Sequence, residues 1–463
     1  MAITFGTDGW RAIIGEEFTF ANVEKVAQAY SEILGPPQKT PIPIGYDRRS
    51  LSDDFAKAFA CVLVANRWKV LLSETYCPTP CISWMTKTTT APGGVVITAS
   101  HNPYQWNGVK FKESYGGSAA PEFTGRIEEK CAGDVVPRRV SFESALREGK
   151  VTMFDPRKDY VAQLRSRIDL PKIKKAAWKI AYDPLYGAGA GFLDAVLEGP
   201  VREIHGENNA TFGGLNPEPI ARNLEFLTSL VTKEGFDVGL ATDGDADRIG
   251  AVSETGAFVN PHQIFALILN HLIERGERGG VVKTVSTTSM IDKIAAKHGL
   301  KVHETPIGFK HICQKFQETS PLIGGEESGG IGIPSHVYER DGLLSGLLLL
   351  EIMSVKKKKL GEILKDLEAE IGPFRFVRDD VRISEEQRPK IEDALRKEAS
   401  GTVAGRKIAS VNRLDGTKYV LEDGSWLLLR LSGTEPLVRV YAEAPSDDLA
   451  RKLVQEGRKL TGQ

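Results

Sequence analysis

Four short stretches of this 463-residue chain concentrate side chains that can do chemistry. In ATDGDADRIG, Asp243, Asp245 and Asp247 occupy alternate positions and Arg248 follows them. On an extended strand, residues two apart stand roughly 6.8 Å from each other, too far to share one small cation. The small residues between them, Gly244 and Ala246, let the loop curl until three carboxylates converge. Carboxylates brought together repel and raise one another's pKa unless a cation lies between them, and an all-oxygen ligand set suits Mg²⁺. The EF-hand, the other pattern of alternating aspartates, requires Gly at the sixth position, where Arg248 stands, and IGAVSE reads as a strand. A solvated acidic turn is the plain alternative.

In GGVVITASHNP an apolar run, Val95 to Ile97, ends in Thr98, Ser100, His101, Asn102 and Pro103, so a buried strand delivers a hydroxyl and an imidazole to a rigid turn. Neighbouring side chains diverge on an extended backbone, so Ser100 and His101 do not read as a hydrolase dyad. The G-x-S-x-G elbow of α/β-hydrolases is also missing. Beside a Mg²⁺ loop, a metal on the oxygen of Ser100 or of its phosphate offers activation without a strong base. In LRLSGTEPLVRVY, Ser432, Gly433 and Thr434 supply hydroxyls and backbone N–H groups for an anion-binding nest. Arg430 and Arg439 flank this loop and are spaced to clamp a phosphate by bidentate hydrogen bonds. In GGEESGG, Glu326, Glu327 and Ser328 between glycines suit the vicinal hydroxyls of a sugar. Each stretch taken alone is also compatible with an ordinary turn.

The elements that position these loops repeat. PIPIGYDRRSLSDDFAKAFACVL, KIAYDPLYGAGAGFLDAVL and GVVKTVSTTSMIDKIAAKHG each read as strand, polar loop and helix, followed by a short strand in KVLLSE, REIHGE and LKVHET. Further along each unit a third strand ends in one of the chemical loops. Strands alternating with helices argue for α/β units with mostly parallel sheets, whose sites lie at the carboxyl ends of the strands. After Gly372 the pattern changes to short strands and DG turns with no crossover helix between Arg406 and Ala444, an α+β domain with an antiparallel sheet. The apolar run LLSGLLLLEIM is too short to span a bilayer and contains Glu351, so it reads as a buried helix capped by Asp341.

Composition narrows the function classes. A formal net charge of −1 supplies no global field for nucleic acid or an anionic membrane, so an acidic small substrate must be held by local Lys and Arg. Five cysteines form no disulfide framework, and CPTPC lacks the further ligands of a zinc site, which points to reduced thiols. The first residues carry no basic-then-apolar secretory pattern. The expectation is a cytoplasmic protein.

Together, and in this order, the four loops resemble those of the α-D-phosphohexomutases, the phosphoglucomutase and phosphomannomutase superfamily. The opening FGTDGWRA is similar to its N-terminal signature, and the likeness spans the chain. The resemblance implies four domains around a central cleft: 1–150 with the phosphoserine loop, 151–255 with the metal loop, 256–371 with the sugar loop, and 372–463 with the phosphate loop. It implies that Ser100 carries a phosphoryl group and that Asp243, Asp245 and Asp247 bind Mg²⁺ together with an oxygen on Ser100. Arg11, Lys110 and Arg248 would line the reacting end, with His101 in a positioning role. Glu326 and Ser328 would hold sugar hydroxyls, Thr305 and Gly308 in TPIGFK a further substrate loop, and Arg430, Ser432, Gly433, Thr434 and Arg439 the non-reacting phosphate. Many phosphomannomutases and phosphoglucosamine mutases have His where Gly330 stands, and GEESGG is closer to the phosphoglucomutase branch. The implied activity interconverts glucose 1-phosphate and glucose 6-phosphate, with glucose 1,6-bisphosphate as intermediate and activator. Mannose and glucosamine phosphates are alternative substrates. A metal-dependent phosphatase and a non-catalytic sugar-phosphate sensor are the readings from other classes.

Overall fold

A computed structural model describes residues 3–6, 8–384, 386–396, 401–432 and 436–461. Twenty-one strands, numbered here in chain order, form four sheets among these residues. The first sheet holds β1 (Trp10–Ile13), β2 (Ile42–Tyr46), β3 (Val70–Ser73), β4 (Gly93–Ile97), β5 (Trp106–Glu113) and β6 (Val151–Phe154), in spatial order β1-β5-β4-β2-β3-β6. The second holds β7 (Ile180–Asp183), β8 (Val201–Glu203), β9 (Val238–Thr242), β10 (Ile249–Ser253) and β11 (Phe258–Val259), in order β11-β10-β9-β7-β8. The third holds β12 (Val281–Thr284), β13 (Val302–Thr305), β14 (Ile323–Gly325) and β15 (Ile331–Gly332), in order β13-β12-β14-β15.

One core recurs in all three. A first strand lies between a second and a third, all parallel: β3-β2-β4, β8-β7-β9 and β13-β12-β14. The strand after each third strand, β5, β10 or β15, turns back antiparallel beside it. The chemical loops at Ser100, at Asp243–Asp247 and at Glu326–Gly330 are these three reversals. β4, β9 and β14 are buried along their length, as their unbroken apolar runs require of strands covered on both faces.

The fourth sheet is wholly antiparallel. Its strands are β16 (Arg375–Arg382), β17 (Thr402–Val403), β18 (Arg406–Asn412), β19 (Thr417–Leu421), β20 (Trp426–Leu431) and β21 (Leu437–Ala444), in order β16-β21-β20-β19-β18-β17. The helix Asp447–Leu460 covers one face and buries Leu449, Leu453 and Val454. Three mixed α/β domains and a C-terminal α+β domain are thus the architecture that the strand–helix grammar predicts.

The apolar run from Leu343 is the helix Gly342–Lys356, capped by Asp341, whose Oδ1 accepts the N–H of Leu344 at 2.8 Å. It is hydrophobic on every side and buried on nearly every side. It packs on the helices Pro261–Glu274 and Leu170–Ala176 and on β9 and β10. One continuous core therefore joins the second and third sheets, including Val238, Leu240, Ile249, Phe265, Leu347 and Leu350. Each such leucine contributes roughly 1.5–3 kcal/mol of burial. Glu351 within this helix bonds His271 at 2.9 Å. All five cysteines are buried and none is in a disulfide. No helix among the described residues is long and apolar enough to cross a membrane.

Candidate active site

Ser100 lies just past β4 in a left-handed backbone conformation, φ +53°. A non-glycine residue held there costs on the order of 1–3 kcal/mol, so its surroundings must fix it. Its N–H donates to Thr98 Oγ1 at 2.9 Å, and its hydroxyl donates to Asp243 Oδ2 at 2.8 Å. The expected divergence of Ser100 and His101 assumed an extended backbone. The left-handed turn instead brings His101 Nδ1 to 3.4 Å from Ser100 Oγ, a longer contact than the one to Asp243. Burial, reinforced by Arg248, Arg11 and Lys110, holds the His101 imidazole well below its usual pKa.

The aspartate loop runs between β9 and β10 and curls through Ala246, φ +57°. One oxygen from each of Asp243, Asp245 and Asp247 lies within 4.8 Å of the others, and all three residues are buried. Asp243 Oδ1 also accepts the N–H groups of Asp247 (3.0 Å) and Arg248 (3.1 Å), which closes the loop on itself. Asp245 Oδ1 and Asp247 Oδ1 are buried without a hydrogen-bond partner. Two orphaned carboxylate oxygens beside a third carboxylate fit a hard divalent cation such as Mg²⁺. Burial, then repulsion from Asp247 and Asp245, pushes Asp243 well above the usual carboxylate range.

Lys110 enters this group from β5, whose register places it opposite Val96 of β4. Fully buried, its Nζ meets Asp245 Oδ2 and Asp8 Oδ2 at 2.8 Å and Asp247 Oδ2 at 2.9 Å. Burial opposes its charge, but the three carboxylates outweigh that and raise its pKa. Burial likewise opposes the charge of Asp245, and Lys110 prevails in keeping it ionised. Arg11 on β1 donates to Asn102 Oδ1 at 2.7 Å, within the Ser100 turn. Arg248 stands 4.0 Å from Asp243 Oδ2 and 3.9 Å from Asp247 Oδ1.

Glu326 follows β14, and its Oε1 accepts the N–H of Gly308 at 3.2 Å, which joins the GEESGG loop to the TPIGFK segment. Ser328 is half-buried beside it, and Thr305 is buried at the end of β13. Arg430 on β20 and Arg439 on β21 face each other directly across the sheet. Arg430 Nε donates to Asp415 Oδ1 at 2.8 Å, while Asp415 Oδ2 accepts the N–H of Ile307 at 2.9 Å. Ser432 is buried, its N–H donating to Leu437 O at 2.9 Å. Gly433 and Thr434 lie outside the described residues.

Three further residues join the site without standing among the sequence candidates. Arg340 contacts Asp8, Asp247 Oδ2 (2.7 Å) and Glu326 Oε2 (3.4 Å), and so ties segments near residues 8, 247 and 326 together. Thr79, at the start of a helix, donates its hydroxyl to Asp245 Oδ2 (2.5 Å) and its N–H to Asp245 O (2.9 Å). Asp8 bridges Lys110 and Arg340. The sequence signal for Asp8 was its place in FGTDGWRA; nothing local marks Arg340 or Thr79.

Known proteins are similar to this one along the whole chain. The four domain models of phosphoglucomutase/phosphomannomutase match in order: alpha/beta/alpha domain I over residues 2–134, domain II over 158–256, domain III over 260–371, and the C-terminal domain over 380–460. The chain is 32% identical to a protein of Thermococcus kodakarensis named phosphoglucomutase/phosphomannomutase, across 99% of this chain and 98% of that one. It is 30% identical to a phosphoglucosamine/phosphogalactosamine mutase of Sulfurisphaera tokodaii, across 99% of each. A Thermus thermophilus structure assigned as a phosphomannomutase superposes with a TM-score of 0.87 at 36% identity, covering 100% of both chains. With these matches and this fold, the chain belongs to the phosphoglucomutase/phosphomannomutase superfamily of phosphohexomutases.

Proposed function

We propose that the protein interconverts glucose 1-phosphate and glucose 6-phosphate through a phosphorylated Ser100 and glucose 1,6-bisphosphate. The observation that carries this reading is the Ser100 hydroxyl, 2.8 Å from Asp243 Oδ2 at the edge of three converging carboxylates. The four loops belong to four domains; because Val151–Phe154 pairs in the first sheet and Phe258–Val259 in the second, we place the first two boundaries after 154 and 259 rather than after 150 and 255, and the third after 371. Asp243, Asp245 and Asp247, with an oxygen on Ser100, would hold Mg²⁺, which supplies charge neutralisation at the transferring phosphoryl group.

The residues divide the work between two ends of a sugar bisphosphate. At the reacting end, Arg11, Lys110 and Arg248 face the developing negative charge. The three aspartates and a phosphoserine carry about −5, which about +2 from Mg²⁺ and +3 from these cations would balance. At the far end, the opposed side chains of Arg430 and Arg439, with Ser432 and the adjoining Gly433 and Thr434, hold the phosphate that does not react. Glu326 and Ser328, beside Thr305 and Gly308, hold the sugar hydroxyls between the two phosphates.

In the first half-reaction the free sugar hydroxyl attacks phosphorus and the bond to Ser100 Oγ breaks. The hydroxyl proton is returned to the serine oxygen, so atoms and charge balance. The bisphosphate then turns around and gives its other phosphate back to Ser100. Recognition of the distal phosphate must therefore be separate from transfer, as Arg430 is from Ser100.

The GEESGG loop supports glucose among the hexoses. An added Cβ at Gly330 would lie 2.2 Å from Arg340 Cδ, so the arginine occupies the room that a side chain at 330 would need. The histidine found there in many phosphomannomutases and phosphoglucosamine mutases has no space unless Arg340 moves.

Side-by-side rates with glucose, mannose and glucosamine 1-phosphates, with Mg²⁺ and a trace of bisphosphate, test the substrate. Glucose is expected to be fastest, and peptide mapping of cycling protein should find phosphate on Ser100. Ser100→Ala should lose at least about 10³-fold in turnover while sugar-phosphate binding stays measurable. Release of inorganic phosphate without glucose 6-phosphate would instead identify a phosphatase.

A further inference from the structure

One buried side chain holds the backbone of the Ser100 loop from end to end. Arg49 Nη2 donates to Ser100 O at 2.6 Å and to Asn102 O at 2.7 Å. Its Nη1 donates to Pro103 O at 2.8 Å and to Trp106 O at 3.0 Å, and Nε donates to Asp47 Oδ2 at 3.1 Å. A guanidinium has five N–H donors, and here each has an acceptor, so none is left for a phosphate. Arg49 is 3% exposed and Asp47 is 1% exposed. This arginine is therefore built to hold protein rather than ligand.

Asp47 reaches the other side of Ser100. It accepts the N–H of Arg49 (3.0 Å) and the hydroxyls of Ser52 (2.8 Å) and Thr98 (2.6 Å). The Thr98 oxygen in turn accepts the Ser100 N–H. The Asp47–Arg49 pair thus fixes the Ser100 carbonyl directly and its amide through Thr98. The guanidinium also lies 4.9 Å from the ring centroid of Phe212, a residue between β8 and β9, so the clamp is pressed from the second sheet's side. Ser100 needs such fixing because its left-handed conformation is disfavoured for a residue with a side chain.

We infer that Arg49 is a positioning residue for phosphoryl transfer, its planar fork holding Ser100 in the left-handed turn that aims Oγ at the three aspartates. The inference rests on Ser100 being the phosphoryl carrier. Lysine cannot replace the fork, because an ammonium on one atom cannot reach four carbonyls spread along a loop.

The test uses Arg49→Lys and Arg49→Ala in the full chain. Both should lower kcat for glucose 1-phosphate by about 10²-fold, the usual consequence of displacing a reacting group by about 1 Å. KM should stay within about twofold, because the distal phosphate site is untouched. Guanidinium ion at a sub-denaturing concentration should restore part of kcat to Arg49→Ala and none to Arg49→Lys, which a merely destabilised fold would not do. Amides between residues 98 and 106 should exchange faster in Arg49→Lys while those of β2, β3 and β4 stay protected. Wild-type kcat or wild-type exchange in this loop for Arg49→Lys overturns the clamp. Wild-type protein that cycles without phosphate on Ser100 overturns the mutase reading instead, and loop exchange then decides the clamp alone.

Discussion

Asp243 and Asp245 stand two residues apart in one loop, yet their surroundings push them in opposite directions. Both are buried, but Asp245 meets Lys110 and the Thr79 hydroxyl, whereas Asp243 meets the repulsion of its own neighbours. The residue types announced the chemistry and the partners divided it. Glu326, in the GEESGG loop, shows the same effect. Burial pushes its carboxyl up to about 7, aided by Glu327 and opposed by Arg340 and Arg248. The folded-state value lies above the ordinary 4.5, so between those pH values the folded protein keeps a proton that the unfolded chain has lost. Stability from this group therefore falls as pH rises from about 4.5 to about 7, by on the order of 3 kcal/mol. Glu326→Gln is expected to flatten that decline, as read by urea unfolding across the same range. An unchanged slope would assign the pH dependence to other groups.

At the scale of elements, three reversals from a third strand into an antiparallel one carry the three α/β loops. At Gly244 the aspartate turn meets the Ser100 turn backbone to backbone. An added Cβ at Gly244 would come within 2.4 Å of Ser100 O, the carbonyl that Arg49 holds. Gly244 does not have positive φ, so Gly244→Ala acts through this contact rather than through backbone strain. It should drive the aspartate loop away from Ser100, lowering kcat by about 10²-fold and weakening Mg²⁺ dependence. Mg²⁺ titration of activity checks this, and a wild-type profile would mean that the loops separate freely. The helix Gly342–Lys356 steadies the loop from behind, because the Gly342 N–H donates to Ala246 O at 3.1 Å. Its apolar run was legible as a buried helix. That it packs on β9 and β10 was not, since a helix that is apolar all round does not say which sheet it covers.

Across the whole molecule a line of polar contacts connects all four sheets. Arg430 and the Ile307 N–H meet on Asp415, the Gly308 N–H and Arg340 meet on Glu326, and Arg340 continues to Asp247. Asp247 sits with Asp243, which accepts the Ser100 hydroxyl. A phosphoryl group on Ser100 adds about two negative charges at one end of this line. The phosphorylated protein is expected to close more tightly, with slower amide exchange around Ser100, Asp243–Asp247, Glu326–Gly330 and Arg430–Ser432 than in the dephosphorylated form. Equal exchange in the two forms would remove phosphorylation as the cause of closure.

The sequence by itself determined the fold class and the strand–loop units and singled out the candidate loops, because these depend on periodicity and on residues within a dozen positions of one another. Asp243, Asp245, Asp247 and Ser100 were legible for that reason. Only the tertiary structure decided which charges face them. Arg340 meets Asp8 and Asp247, Thr79 meets Asp245, and Arg49 gathers carbonyls more than fifty residues along the chain. A buried charge takes its partner from whatever packing brings within about 3 Å, and no local spacing encodes that.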